Sequence, residues 1–223
     1  MPDRDTQARF RFGHDPTTPL PRFAPRKRCL RWFKGEEWTS TSPRARPFAG
    51  WARGRLYDAQ AGAEQLRKAL ASYLNQGNKW IAPAFYGLLA ELEVVSRGPD
   101  SALTLIDQGL AIAGETDEHF SDPYLHRLRG DILLKRSPDD PAPAEEAYRV
   151  AIGVAKQQGA RSYELFGSLS LARLYQAISR PADAHAILAP ALEGFTPTPE
   201  MPEIAEAQAL LVAIEAGPHV RHE

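Results

Sequence analysis

Leu171-Ala172-Arg173-Leu174-Tyr175, followed by Ala184-His185-Ala186-Ile187-Leu188-Ala189-Pro190-Ala191, carries an order of small and bulky residues that recurs along the chain. In its second half, small Ala184 is followed four residues on by bulky Leu188 and three further by small Ala191. The same order occurs at Ala102–Ile106–Gly109 and Ala144–Tyr148–Ala151, and more weakly at Gly62–Leu66–Ala69. The first members, Gly62, Ala102, Ala144 and Ala184, are spaced by 40, 42 and 40 residues. Self-similarity at one period marks an array of supersecondary units, none of which can bury its apolar face alone. The chain is therefore expected to be all-α, a right-handed solenoid of antiparallel helix pairs.

The small residues have a packing role. Where two helices cross closely, Ala or Gly lets ridges enter grooves, while a large side chain forces the backbones apart. A matching small residue lies in the preceding helix: Ala90 is twelve residues before Ala102, and Ala172 twelve before Ala184. In the third pair it is Gly130, fourteen before Ala144, because the loop Ser137–Pro143 is longer.

Outward from these crossings, three- and four-residue apolar spacing predicts helices over Ile81–Ser96, Ser101–Ala113, Asp122–Lys135, Ala144–Gln158, Ser162–Ile178, Ala182–Gly194 and Glu203–Glu215. Arg97-Gly98-Pro99-Asp100, Ser137–Pro141 and Gly159 supply the breaks. Ala113 falls at a fraying helix end in this register, where a glutamate is expected to cost about 0.5 kcal/mol or less. The domain division is residues 1–50 as a basic, poorly ordered arm, 51–216 as the helical array and 217–223 as a tail.

Residues 1–50 hold eleven Lys/Arg against five Asp/Glu, and the remainder sixteen against twenty-three, so a formal net charge of −1 conceals an asymmetry. The arm carries seven Pro and nine Arg with no helical period, which favours disorder. Its Arg26-Lys27-Arg28 and Arg31, interleaved with Trp32 and Phe33, form the stretch that could meet a polyanion; a solvated, broken repeat is the alternative. The near-neutral whole argues against nucleic acid as the partner. Lone Cys29 excludes an internal disulfide and a cysteine zinc site, consistent with the cytoplasm. No secretory leader is visible at Met1-Pro2-Asp3-Arg4-Asp5, and the longest apolar run, Trp80–Ala90, is too short to span a membrane.

Chemistry-bearing motifs are sparse. Gly77-Asn78-Lys79 lacks the spacing of a phosphate loop, and Gly167-Ser168-Leu169-Ser170 lacks the second glycine of a nucleophile elbow. His219 and His222 sit in the tail, Asp139-Asp140 between prolines reads as a turn, and His126 is expected to pack rather than act as a base. No catalytic, cofactor or metal residue is assigned, and the chain is expected not to be an enzyme.

The set Leu171-Ala172, Tyr175, Ala184, Leu188 and Ala191 resembles the tetratricopeptide repeat, although the period near 40 is longer than usual for that family and Glu93 stands where an apolar residue is the rule. More closely, Leu125-His126-Arg127-Leu128-Arg129-Gly130-Asp131-Ile132-Leu133-Leu134, Gln158-Gly159-Ala160-Arg161-Ser162-Tyr163-Glu164-Leu165 and Ser170–Tyr175 resemble the C-terminal repeat region of bacterial class III adenylate/guanylate cyclases and related ATPase regulators. The similarity runs from about Gly50 to Ala216. It implies a regulatory part that acts on cyclase or ATPase modules, here on another chain. It also implies a concave groove lined by the first helix of each pair, at Glu91, Val94, Tyr124, Arg127, Asp131, Leu134, Phe166, Arg173 and Gln176. Arg127 and Arg173 are expected to be dispensable for folding. The resulting expectation is a non-catalytic scaffold for protein–protein interaction or signal relay, holding a protein or peptide in its groove. The alternatives are a small-ligand sensor resembling the solenoid of LuxR-type activators, and a truncated remnant without a role of its own.

Overall fold

A computed structural model of the protein describes residues 45–216. Among them are nine helices: α1 (Ala45–Leu56), α2 (Ala59–Asn75), α3 (Ala82–Ser96), α4 (Pro99–Thr116), α5 (Asp122–Arg136), α6 (Ala142–Gln157), α7 (Arg161–Ala177), α8 (Pro181–Leu192) and α9 (Pro202–Ala216). There is no strand among the described residues, only an isolated bridge between Thr198 and Met201. The all-α expectation holds. The readings of residues 1–44 and 217–223, including Cys29, the Arg26–Arg31 cluster, His219 and His222, lie outside the described residues.

Each helix packs on its chain neighbours. In addition, α1 lies close to α3, α3 to α5, α5 to α7 and α7 to α9, whereas the backbones of α2, α4, α6 and α8 do not approach one another closely. The odd-numbered helices thus form a continuous seam, and the even-numbered ones stand apart outside it.

The crossings sit where the small residues put them. Ala90, Ala102, Ala144, Ala172 and Ala184 are fully buried. A Cβ on Gly130 would lie 2.7 Å from Cδ1 of Tyr148, so only glycine lets that ring lie flat on α5. Gly50 lies twelve residues before Gly62 and 40 before Ala90, and is the first-pair counterpart of Ala90, Gly130 and Ala172. A Cβ on Gly50 would be 2.8 Å from the backbone nitrogen of Leu66, and one on Gly62 would be 2.7 Å from the carbonyl oxygen of Gly50. The boundary drawn at residue 50 therefore falls inside α1, and residues 45–50 belong to the first pair.

Three clusters of buried side chains follow one another along the array. Trp51, Leu66, Tyr73, Phe85, Leu89 and Leu92 join α1–α3. Ala102, Ile106, Leu125, Leu128 and Ile132 join α4 and α5 to Ala90 of α3. Tyr148, Leu165, Leu171, Tyr175, Leu188 and Ile204 join α6–α9. Each fully buried Leu, Ile or Phe contributes roughly 1.5–3 kcal/mol relative to exposure, so stability is distributed along the chain.

Local signals place the ends. Asp58 caps α2 by accepting from the backbone N–H groups of Gln60 and Ala61 at 2.9 and 3.0 Å. Gly98, at φ 98°, makes a turn that a side chain would strain, and Pro99 then opens α4. The register near Ala113 needs correction: α4 continues to Thr116 and ends at Asp117 in the left-handed conformation, and Ala113 is fully buried. Gly114 lies within the helix, with open space where a Cβ would stand, and it does not act as the stop.

Candidate functional site

All nine residues assigned to the groove lie on odd-numbered helices: Glu91 and Val94 on α3, Tyr124, Arg127, Asp131 and Leu134 on α5, and Phe166, Arg173 and Gln176 on α7. None is fully buried. The residue that follows the small crossing position recurs as Trp51, Glu91, Asp131 and Arg173, one per odd helix of the four pairs. This periodic register brings side chains 40 residues apart in sequence side by side.

Four of the nine form one network. Glu91 accepts from Trp51 Nε1 at 2.8 Å through one carboxylate oxygen and from the Tyr124 hydroxyl at 2.9 Å through the other. Asp131 accepts from Arg127 at 2.7 Å and from the Tyr148 hydroxyl at 2.7 Å. The guanidinium of Arg127 lies 5.9 Å from the centre of the Tyr124 ring, linking the two carboxylate groups. The network ties α1, α3, α5 and α6 together.

Its electrostatics follow from burial beside fixed charge. Burial, then the neighbouring Glu91 carboxylate, raises Tyr124 well above its ordinary value. Tyr148 is raised well above its own by burial and then by Asp131. Burial pulls the Arg127 guanidinium down, but Asp131, Glu91 and the two tyrosines outweigh it and hold it protonated more strongly than usual. Arg127 is therefore not a solvated decoration of its helix. Its side chain is 11% exposed, so its loss is now expected to cost stability rather than to leave folding untouched.

The other assigned residues stand apart from this network. Val94 packs on the cluster around Ala102, and Leu134 on the C-terminal cluster. Phe166 meets Tyr163 edge to face at 6.3 Å. Arg173 is exposed and pairs with Glu206 of α9, and Gln176 is exposed. Three aromatic residues at or just beneath this face are absent from the sequence-derived groove: Trp51, which opens the predicted array; Tyr148, placed there only as the bulky residue of a helix crossing; and Tyr163. The 40-residue interval between Trp51 and Glu91 was the available signal for the first.

What results is a partly exposed set of charged and aromatic side chains on α3 and α5, held by hydrogen bonds to one another and to the buried Trp51 and Tyr148. Among the described residues no group of three or more His, Cys, Asp or Glu is placed to share a metal ion. No known protein-family model matches the chain, and a search of curated proteins returns no match to it. No described helix is long and apolar enough to cross a membrane.

His126, on the same helix, is half-buried, and burial followed by the charge of Arg129 lowers its pKa from the ordinary 6.5. The folded state favours neutral imidazole while the unfolded chain takes up the proton, so stability is expected to fall as pH drops below 6.5. His126→Gln should flatten that slope, read as the urea midpoint between about pH 7.5 and 5.5. His119, raised chiefly by its hydrogen bond to Asp122, slopes the other way and is untouched by the variant. An unchanged slope in His126→Gln would count against this assignment.

Proposed function

We propose that the chain is a non-catalytic, tetratricopeptide-like solenoid whose odd-helix seam forms the concave face, and that this face holds an extended or helical segment of another protein. The observation that carries the reading is the Trp51–Glu91–Tyr124–Arg127–Asp131–Tyr148 network. Buried Trp51 and Tyr148 hold the partly exposed Glu91, Tyr124, Arg127 and Asp131 of α3 and α5 in place before any partner arrives, which reduces the ordering cost of binding. The close approach of odd helices two apart, without close backbone approach between even ones, supports the solenoid. By its resemblance to the C-terminal repeats of class III cyclases and related ATPase regulators, the protein would act in the cytoplasm on a cyclase or ATPase module of a separate chain. Such an action requires contacts that differ between two states of that module.

Peptides selected from a random display library against the intact protein test this. Amide chemical shifts of α1, α3, α5 and α7 should move on binding. Arg173→Ala combined with Gln176→Glu, both at exposed positions, should weaken peptides mapped to α7 by about tenfold, equivalent to roughly 1.4 kcal/mol, with helicity unchanged. Shifts confined to the even helices would overturn the proposal.

A further inference from the structure

Position three beyond the small residue of the first helix is occupied differently in the second and fourth pairs. After Ala172 it is Tyr175, and after Ala90 it is Glu93. Tyr175 is 3% exposed. Its hydroxyl donates to Glu145 at 2.9 Å and accepts from Arg149 at 2.9 Å, and its ring is covered by Arg180 at 4.4 Å. Glu93 is equally buried, and it accepts from Arg67 and from the Ser101 hydroxyl. Arg67 and Arg149 are themselves equivalent, each following the bulky residue of the preceding even helix, Leu66 or Tyr148. The corner is thus the same, but a phenol ring fills it in one pair and a shorter carboxylate leaves it open in the other.

The open corner is a cleft of about 390 Å³ between α2, α3 and α4. That lies at the lower end of the range of about 300–1,000 Å³ typical of small-molecule sites. Its apolar wall includes Leu70, Leu74, Leu89 and Leu105. Glu93 is neutralised by Arg67, while Arg97, also lining the cleft and exposed, has no ion-pair partner among the described residues. The lining therefore carries one uncompensated positive charge beside an aliphatic surface. A cation would meet that charge with no free carboxylate, and a dianion would exceed it and face Glu93.

We propose that this cleft is a binding site for a small aliphatic monocarboxylate, its carboxylate at Arg97 and its chain against the leucines. The site faces the even helices and does not rest on the partner-binding reading of the odd-helix seam.

Titration of the intact protein with octanoate, octan-1-ol and octylammonium, followed by amide shifts and calorimetry, tests it. Octanoate should bind saturably, about tenfold or more tighter than the alcohol, with shifts centred on α2–α4, and octylammonium should bind more weakly than either. Arg97→Ala should remove the preference for octanoate over octan-1-ol. Glu93→Tyr, which places in the second pair the side chain found in the fourth, should abolish binding of both. Ala71→Phe, at an exposed position of the cleft wall, should do the same if Glu93→Tyr fails to fold. Absence of saturable octanoate binding, equal binding of octan-1-ol, stronger binding of octylammonium, or undiminished binding by Ala71→Phe would each overturn the proposal. Peptide binding to the odd helices should be unaffected by Ala71→Phe, so the two readings fail separately.

Discussion

Ala184→Glu is expected to destabilise the protein by about 4 kcal/mol or more, a large fraction of the roughly 5–15 kcal/mol that holds a typical domain together. Ala184 is fully buried, in one cluster with Ala172 and Leu188 at the contact of α7 with α8. A glutamate there must both separate the helices and bury a charge, and uncompensated buried charge alone costs about 3–5 kcal/mol. Ala113→Glu should be comparably damaging, because the helix runs past it and no solvent reaches it. Ala111→Glu, two residues away on an exposed face, should stay within about 0.5 kcal/mol. Urea unfolding followed by helicity separates the three. A mild effect at Ala184, or a large one at Ala111, would show the helix register to be wrong.

Arg127→Met should cost about 2–4 kcal/mol. Loss of one partner of a fully buried ion pair costs about 3–5 kcal/mol, and the figure is reduced here because the Asp131 side chain is 35% exposed and can be partly rehydrated. The loss should fall mainly on Asp131 and Glu91, whose charges would be left to the tyrosine and tryptophan donors. Asp131→Asn added to Arg127→Met should recover part of it, since the orphaned charge is then gone. Full additivity of the two substitutions would remove the coupling on which this account rests. The consequence for partner studies is that Arg127 is a poor choice for disrupting the surface, since any loss of binding would be confounded with loss of fold.

The contrast between these two sites shows what the sequence made legible. Ala184 could be placed from spacing because a helix crossing requires a small side chain, and the requirement repeats at 40 to 42 residues. Ala113 was misplaced because Gly114, Glu115 and Thr116 resemble a terminus locally, whereas the actual stop is the left-handed backbone of Asp117. The first pair was cut short because Pro- and Arg-rich composition masked Gly50, whose twelve-residue interval to Gly62 carried the right information. On the candidate face, helix position was readable, since Glu91, Asp131 and Arg173 each follow a small residue. Their hydrogen-bond partners were not: Trp51 and Tyr148 reach them from other helices, and pairing across helices depends on the relative rotation of neighbouring units. Glu93 was visible as an irregularity, but its cleft emerges only when Tyr175 is seen filling the same corner.

The seam of odd helices also sets how the array bends. Flexing that widens the gaps between α2, α4, α6 and α8 parts no close backbone approach among those helices, though it stretches the ion pair of Glu145 in α6 with Arg180 at the start of α8. Flexing in the opposite sense must pull Trp51 and Tyr124 away from Glu91, breaking hydrogen bonds between side chains on different odd helices. The stack is thus compliant about one edge and stiff along it, like pages bound at a spine. A segment lying along the seam would add stiffness to the bound edge, while a molecule wedged between α2 and α4 would change the angle at which two leaves stand open.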